Sequence, residues 1–231
     1  MLTHNPRIVT SGLVLALDAG DVNSYPGSGT TWYDVSGNGT NATLVNGAVV
    51  SNSNTGTLDL DGSNDYVSFV NPTIYTGPYT IILWAKPDVA LIPGGSGAAR
   101  PNGTNRKTPL VGPGPVWNPG IWVTSDYIRS HADTQYVDSA INWTTTTWNM
   151  LGMTYDGVNV KNIFAGNILS NAHTTAYSIS EPSTLYIGAE ISTGNSQNWN
   201  GNIGPVLIYN RALSASEIEQ NYLAQKSRFG L

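Results

Sequence analysis

The chain has 231 residues, 11% of them charged, a net charge of −5 and no cysteine. This excludes a disulfide framework and thiolate metal sites, and with ten scattered basic residues it excludes nucleic-acid binding through a basic face. Asn, Thr and Ser supply 69 residues and Gly and Pro another 38, which disfavours helix interiors, while 40% hydrophobic content with seven Trp and twelve Tyr excludes disorder.

Residues 1–12 read as an N-terminal arm. The apolar run at 13–17, closed by Asp18, is a buried strand. It is too short and lacks the small-residue cleavage pattern of a signal peptide. No run approaches the ~18 apolar residues of a membrane-spanning helix. Residues 19–42 are rich in turns, with Tyr25-Pro-Gly-Ser-Gly29 and Ser36-Gly-Asn-Gly39. Period-two alternation predicts strands at 57–61 and 66–69, joined by the tight turn Asp61-Gly-Ser-Asn-Asp65, then a long strand at 79–86 ended by Pro87.

Residues 92–120 break this pattern with repeated Gly and Pro. They read as a long functional loop concealing one short strand near Leu110. Strands resume at 120–124 and 126–130. Residues 148–155 and 158–164 form a hairpin across Asp156-Gly157, Gly166-Asn167 turns the chain again, and strands at 184–188 and 202–209 follow. Ser214-Ala-Ser-Glu217 is a capping box opening one helix. Ile218, Tyr222 and Leu223 share its predicted apolar face, and Gly230 is its stop. One all-β domain over residues 13–231, an antiparallel β-sandwich with a short C-terminal helix, accounts for this order of elements.

Five segments carry a resemblance. They are Leu58-Asp-Leu-Asp-Gly-Ser-Asn-Asp-Tyr-Val67, Tyr79-Thr-Ile-Ile-Leu-Trp-Ala-Lys-Pro87, Trp148-Asn-Met-Leu-Gly-Met-Thr-Tyr-Asp-Gly157, Leu185-Tyr-Ile-Gly188 and the stretch from Trp199 to Ile218. In order and spacing the chain resembles the laminin-G-like domains of the concanavalin A-like jelly-roll superfamily. A narrower likeness rests on the opening Asn5 to Asp18, on Ser24 to Gly39 and on the ending Asn221 to Leu231. These look like structural proteins of tailed bacteriophages, cyanophages among them. This likeness implies a virion surface protein (decoration, head fibre or tail-associated adhesion module) assembled in the host cytoplasm. The partners implied are other virion proteins, further copies of the chain and host-surface glycan. A lectin outside any virion is the alternative.

Three chemistries bear on these residues. Glucan-cleaving members of the superfamily carry Glu-x-Asp-x-x-Glu on one strand, placing nucleophile and acid on one face. No such run occurs here. Glu217 and Glu219 sit on the predicted helix, Glu181 and Glu190 flank a strand, and Asp59 and Asp61 alternate without a Glu. The expectation is therefore that the chain is not an enzyme. Calcium is the one cofactor that the resemblance implies. Asp34, in Tyr33-Asp-Val-Ser-Gly-Asn-Gly39, matches the first cation carboxylate, but Gly204 stands where the second would lie. Without calcium, Asp34 would simply form an Asx turn.

Lectin sites stack aromatic rings on sugars and bond the hydroxyls through amides. Trp117 beside Asn118, Trp199 beside Asn198, and Tyr127 are the expected ligand-binding residues, with Tyr25 and Trp32 as weaker ones. Trp84, Trp122 and Trp148 are assigned to core packing. The arm and the 92–120 loop are expected to order against a partner subunit.

Overall fold

The structure, a computed structural model, describes residues 6–91, 108–113, 120–132, 135–174, 182–191 and 197–231. Two antiparallel sheets form a sandwich, with strands numbered along the chain. The first holds, in spatial order, β14 (Asn167–Thr174), β13 (Asn159–Phe164), β12 (Asn149–Tyr155), β7 (Tyr79–Pro87), β18 (Asn200–Tyr209), β5 (Thr57–Asp61) and β4 (Val49–Ser51). β1 (Leu13–Leu17) also pairs with β18. The second holds β11 (Gln135–Ala140), β10 (Tyr127–Ala132), β9 (Gly120–Val123), β8 (Thr108–Pro113), β15 (Thr184–Ile187), β6 (Tyr66–Val70), β3 (Ala42–Val45) and β2 (Thr31–Trp32). A small ribbon joins β16 (Ala189–Glu190) to β17 (Gln197–Asn198).

Alternation builds the core between the sheets. From the first sheet Leu15, Leu17, Leu58, Leu60, Ile81 and Leu83 point inward, and from the second Leu44, Val67, Phe69, Ile121, Ile128 and Leu185. At Gly204 and Pro205 the pairing of β18 with β7 shifts register. Upstream of the shift β18 pairs with β5, and downstream with β1. β7 is buried on both faces, which is why its sequence is a continuous apolar run without alternation.

The second face of β7 lies under the C-terminal segment. Helix α1 (Ala215–Gln225) begins with the expected capping box: the Ser214 hydroxyl accepts from the Glu217 amide, and the Glu217 carboxylate accepts from the Ser214 amide at 2.9 Å. Ile218, Asn221, Tyr222 and Gln225 form its contact face, at spacings of three and four residues. Tyr222 stacks on Trp84 at 5.6 Å, and the Trp84 indole donates to Gln225 at 2.8 Å. The expected face differs in detail. Leu223 is 37% exposed, while Asn221 is fully buried because the amide accepts from the Val9 N–H and donates to the Tyr209 hydroxyl. A 3-10 turn (Lys226–Phe229) then inserts Phe229 between Trp84 and Trp148, at 4.4 and 4.5 Å. Gly230 ends it at φ 75, donating to the Lys226 and Ser227 carbonyls.

Residues 6–12 of the arm, expected to order against another subunit, order against this chain's own helix and the end of β18. The Arg7 carbonyl accepts from Gln220, the Ser11 carbonyl from Arg211 and the Val9 carbonyl from Tyr209. The strand predicted near Leu110 is β8; residues 92–107 and 114–119 of that stretch lie outside the described residues.

Candidate functional site

The two outer faces of the sandwich are unlike each other. On the first sheet Ala16, Ile82, Trp84, Met150, Leu207 and Tyr209 face outward, and Val9, Ile218 and Phe229 close over them as a second apolar core. Among the described residues no helix lies on the second sheet. Its pleat sends Thr43, Ser68 and Tyr186 outward at paired positions on β3, β6 and β15, while Leu44, Val67, Phe69, Leu185 and Ile187 point inward. Tyr66 and Tyr186 meet edge to face with ring centroids 5.8 Å apart. Thr43 is exposed and Val70 is 68% exposed beside this pair. Gly112 of β8 lies opposite Tyr186 and adds no side chain at that position.

The other half of the sheet carries a tighter cluster. Trp122, Arg129 and Asp138 are paired across β9, β10 and β11, and Gly120, His131 and Tyr136 form the next row. A Cβ at Gly120 would meet the Trp122 ring at 2.4 Å. Glycine there lets the indole fold down to His131, 4.6 Å away. Arg129 forms two hydrogen bonds to the Asp138 carboxylate and stacks over Tyr136 at 3.7 Å. Burial works against the Arg129 charge, but the Asp138 bonds outweigh it and hold its pKa above the ordinary value. Trp122, Arg129 and Tyr127 are buried, and Tyr136 is 40% exposed.

Among the described residues, Trp199, Asn198 and Tyr127 do not come together as an open aromatic site. Trp199 is fully buried in the central core, 5.8 Å from Trp143, so neither of its ring faces is open to a sugar. The Asn198 side-chain amide donates to the Ser63 carbonyl and holds a turn. Tyr127 is buried, and desolvation raises its pKa. Trp32 is buried and the Tyr25 hydroxyl donates to the Gly29 carbonyl. Trp117 and Asn118 lie outside the described residues. The aromatic pair that the outer face of the second sheet does present is Tyr66 and Tyr186. Their signal was the alternation that predicted their strands: if Val67, Phe69, Leu185 and Ile187 point in, the tyrosines must point out.

The residues at the expected calcium position do not fit a cation. Each oxygen of Asp34 accepts from two donors: Oδ1 from the Ala16 and Ser36 amides at 2.9 and 2.8 Å, Oδ2 from the Ser36 hydroxyl and the Thr40 amide at 2.8 and 3.1 Å. Those donors take the lone pairs that calcium would need. At Gly204 an added Cβ would lie 2.9 Å from both the Phe229 ring and Trp84, so the space for a second carboxylate holds an aromatic ring. Among the described residues no three His, Cys, Asp or Glu side chains gather as a metal site.

Residues 61–219 match the family model of the concanavalin A-like lectin/glucanases superfamily, a laminin-G-type domain. The chain belongs to that superfamily. Comparison with curated proteins gives no match. Among solved structures, Trypanosoma rangeli sialidase in complex with sialic acid is 20% identical with a TM-score of 0.68, over 94% of this chain and 33% of that one. A mutant of the same sialidase displaying trans-sialidase activity is 19% identical with a TM-score of 0.69, over 96% and 34%. The receptor binding domain of a botulinum neurotoxin C/D mosaic serotype is 14% identical with a TM-score of 0.67, over 94% and 52%. The chain thus spans about a third of the sialidases and about half of the toxin domain, and at these identities the likeness is one of fold.

These neighbours overturn the expectation that the chain is not an enzyme, because enzymes share its fold. The missing Glu-x-Asp-x-x-Glu run speaks only to one glucanase chemistry. Among the described residues no helix is long and apolar enough to cross a membrane.

Proposed function

We propose that the chain is a recognition module on the surface of a tailed-phage particle, meeting host glycan through the open face of its second sheet. The observation that carries this reading is the inequality of the two faces. One is sealed by the chain's own helix and arm, and the other presents a half-buried tyrosine pair among hydroxyls. Sealing only one face leaves the other available for contact.

The particle context is supported by the phage-like segments themselves, which bond to one another in this fold. Asp34 accepts from Ala16, Asn38 donates to the Leu13 carbonyl, Asn221 accepts from Val9, and Arg228 pairs with Asp18 at 2.7 Å. The likeness therefore covers one physical unit rather than three unrelated stretches. Contacts with other virion proteins and with further copies would run over the sealed side. Mass spectrometry of purified particles should find the chain, and the purified protein in excess should compete with particles for adsorption to host cells. Absence from particles together with no effect on adsorption overturns the reading. A lectin outside any virion would compete for the cell surface while being absent from particles.

A further inference from the structure

We infer that the glycan taken by the open face is electrically neutral, and that its contact is centred on Tyr66 and Tyr186. This rests on the recognition reading above and names its ligand class. The face formed by β3, β6 and β15 carries Thr43, Tyr66, Ser68, Val70, Thr184 and Tyr186 outward, and none of these ionises near neutral pH. Binding an anionic sugar would desolvate its carboxylate, which needs a guanidinium or ammonium partner to compensate. The outward arginine of this sheet, Arg129, already has both Nε and one terminal nitrogen committed to Asp138 and its plane stacked on Tyr136. The pair is self-neutralising and buried, so it offers no net charge to a ligand.

The arrangement does suit a neutral sugar. One face of a pyranose carries C–H bonds, which lie well against an aromatic ring, while its hydroxyls need small partners that both donate and accept. Thr43, Ser68 and Tyr186 supply such hydroxyls in a single row running across the strands. Neighbouring positions in that row are about 4.8 Å apart, so a chain of sugars lying across the strands meets a hydroxyl at each step. Sialic acid, named in the complex of one structural neighbour, has no charge partner among the described residues of this face.

The test is binding of the whole protein to an array carrying neutral hexose polymers, N-acetylated amino-sugar polymers, uronic-acid polymers and sialylated glycans. Calorimetry follows on any hit with wild type, Tyr186→Ala, Tyr66→Ala and Tyr186→Phe. Both alanine changes are at half-buried surface positions, and circular dichroism checks that each variant is folded. The expected result is binding confined to neutral polymers, insensitive to added salt, weakened about tenfold or more by each alanine, equivalent to about 1.4 kcal/mol or more, and largely retained by Tyr186→Phe. Binding confined to uronic-acid or sialylated polymers overturns the inference and leaves the recognition reading standing, as does neutral binding that both alanine variants retain. Competition for host cells without any glycan binding also overturns it, pointing to a protein receptor. Absence of both glycan binding and cell competition overturns the recognition reading as well.

Discussion

Gly204 shows how a single position separates this chain from the pattern it resembles. Its departure from the family carboxylate was visible in the sequence, but the reason for it was not. The missing side chain is the seat of Phe229, which arrives from the far end of the chain to stack on Trp84. Asp34 is the complementary case. Its match to a cation ligand was legible, yet its four donors include Ala16, whose proximity only the fold supplies. The same limit governed the tryptophans. An indole flanked by two asparagines reads as a loop aromatic, and the burial of Trp199 depends on a long-range placement, its backbone N–H donating to the Gly188 carbonyl at 2.6 Å. Two outcomes are expected. Chelation with EDTA should leave the melting temperature unchanged. Gly204→Asp should lower stability by about 1–3 kcal/mol, the cost of overpacking, without gaining a calcium-dependent shift in denaturant unfolding. A calcium-induced rise in the melting temperature of wild type would contradict the account of Asp34.

At the scale of elements, the segments dictated by local chemistry were the legible ones. β5, β7 and the capping box lie where alternation, an apolar run and a Ser-x-x-Glu spacing place them. β2, β3, β4, β11 and β14 were not anticipated. They are short or lie at sheet edges, and sequences such as Asn-Ile-Leu-Ser-Asn-Ala-His-Thr become strands only because a neighbour supplies the ladder. The helix start has a measurable pH signature. Glu217 is bound by the Arg211 guanidinium at 3.0 and 2.6 Å and by the Ser214 amide, which lower its pKa from 4.5 to about 2. A carboxyl whose folded pKa is depressed adds stability that is complete above its unfolded value and disappears as pH falls through its folded value. Its contribution should therefore be lost between pH 4.5 and about 2. The site is partly solvated, so screening limits the effect to about 1 kcal/mol. Denaturant titrations of wild type and Glu217→Gln should converge across that window; a constant gap down to pH 2 would exclude the linkage.

The whole molecule was legible as a sandwich because its alternation is strong on both sheets, but the contrast between a sealed and an open face was not. That contrast depends on where the helix lands, and Ile218, Asn221, Tyr222 and Gln225 meet their partners only through long-range packing. The position of β18 has a further consequence, which concerns time. β18 is the last strand along the chain, yet it lies at the middle of the first sheet, between β7 on one side and β5 and β1 on the other. During synthesis β1, β5 and β7 all emerge before the strand that joins them. Until β18 appears, the edge that each presents to it is unpaired and the first sheet is split. Contacts of such long sequence separation delay folding, because chain closure must precede any gain from pairing. Nascent chains arrested before Asn200 should therefore be cut readily by protease, and chains in which residues through Leu231 have emerged should become resistant in one late step. Resistance already present in chains arrested after β15 would show that the second sheet can stand without the first.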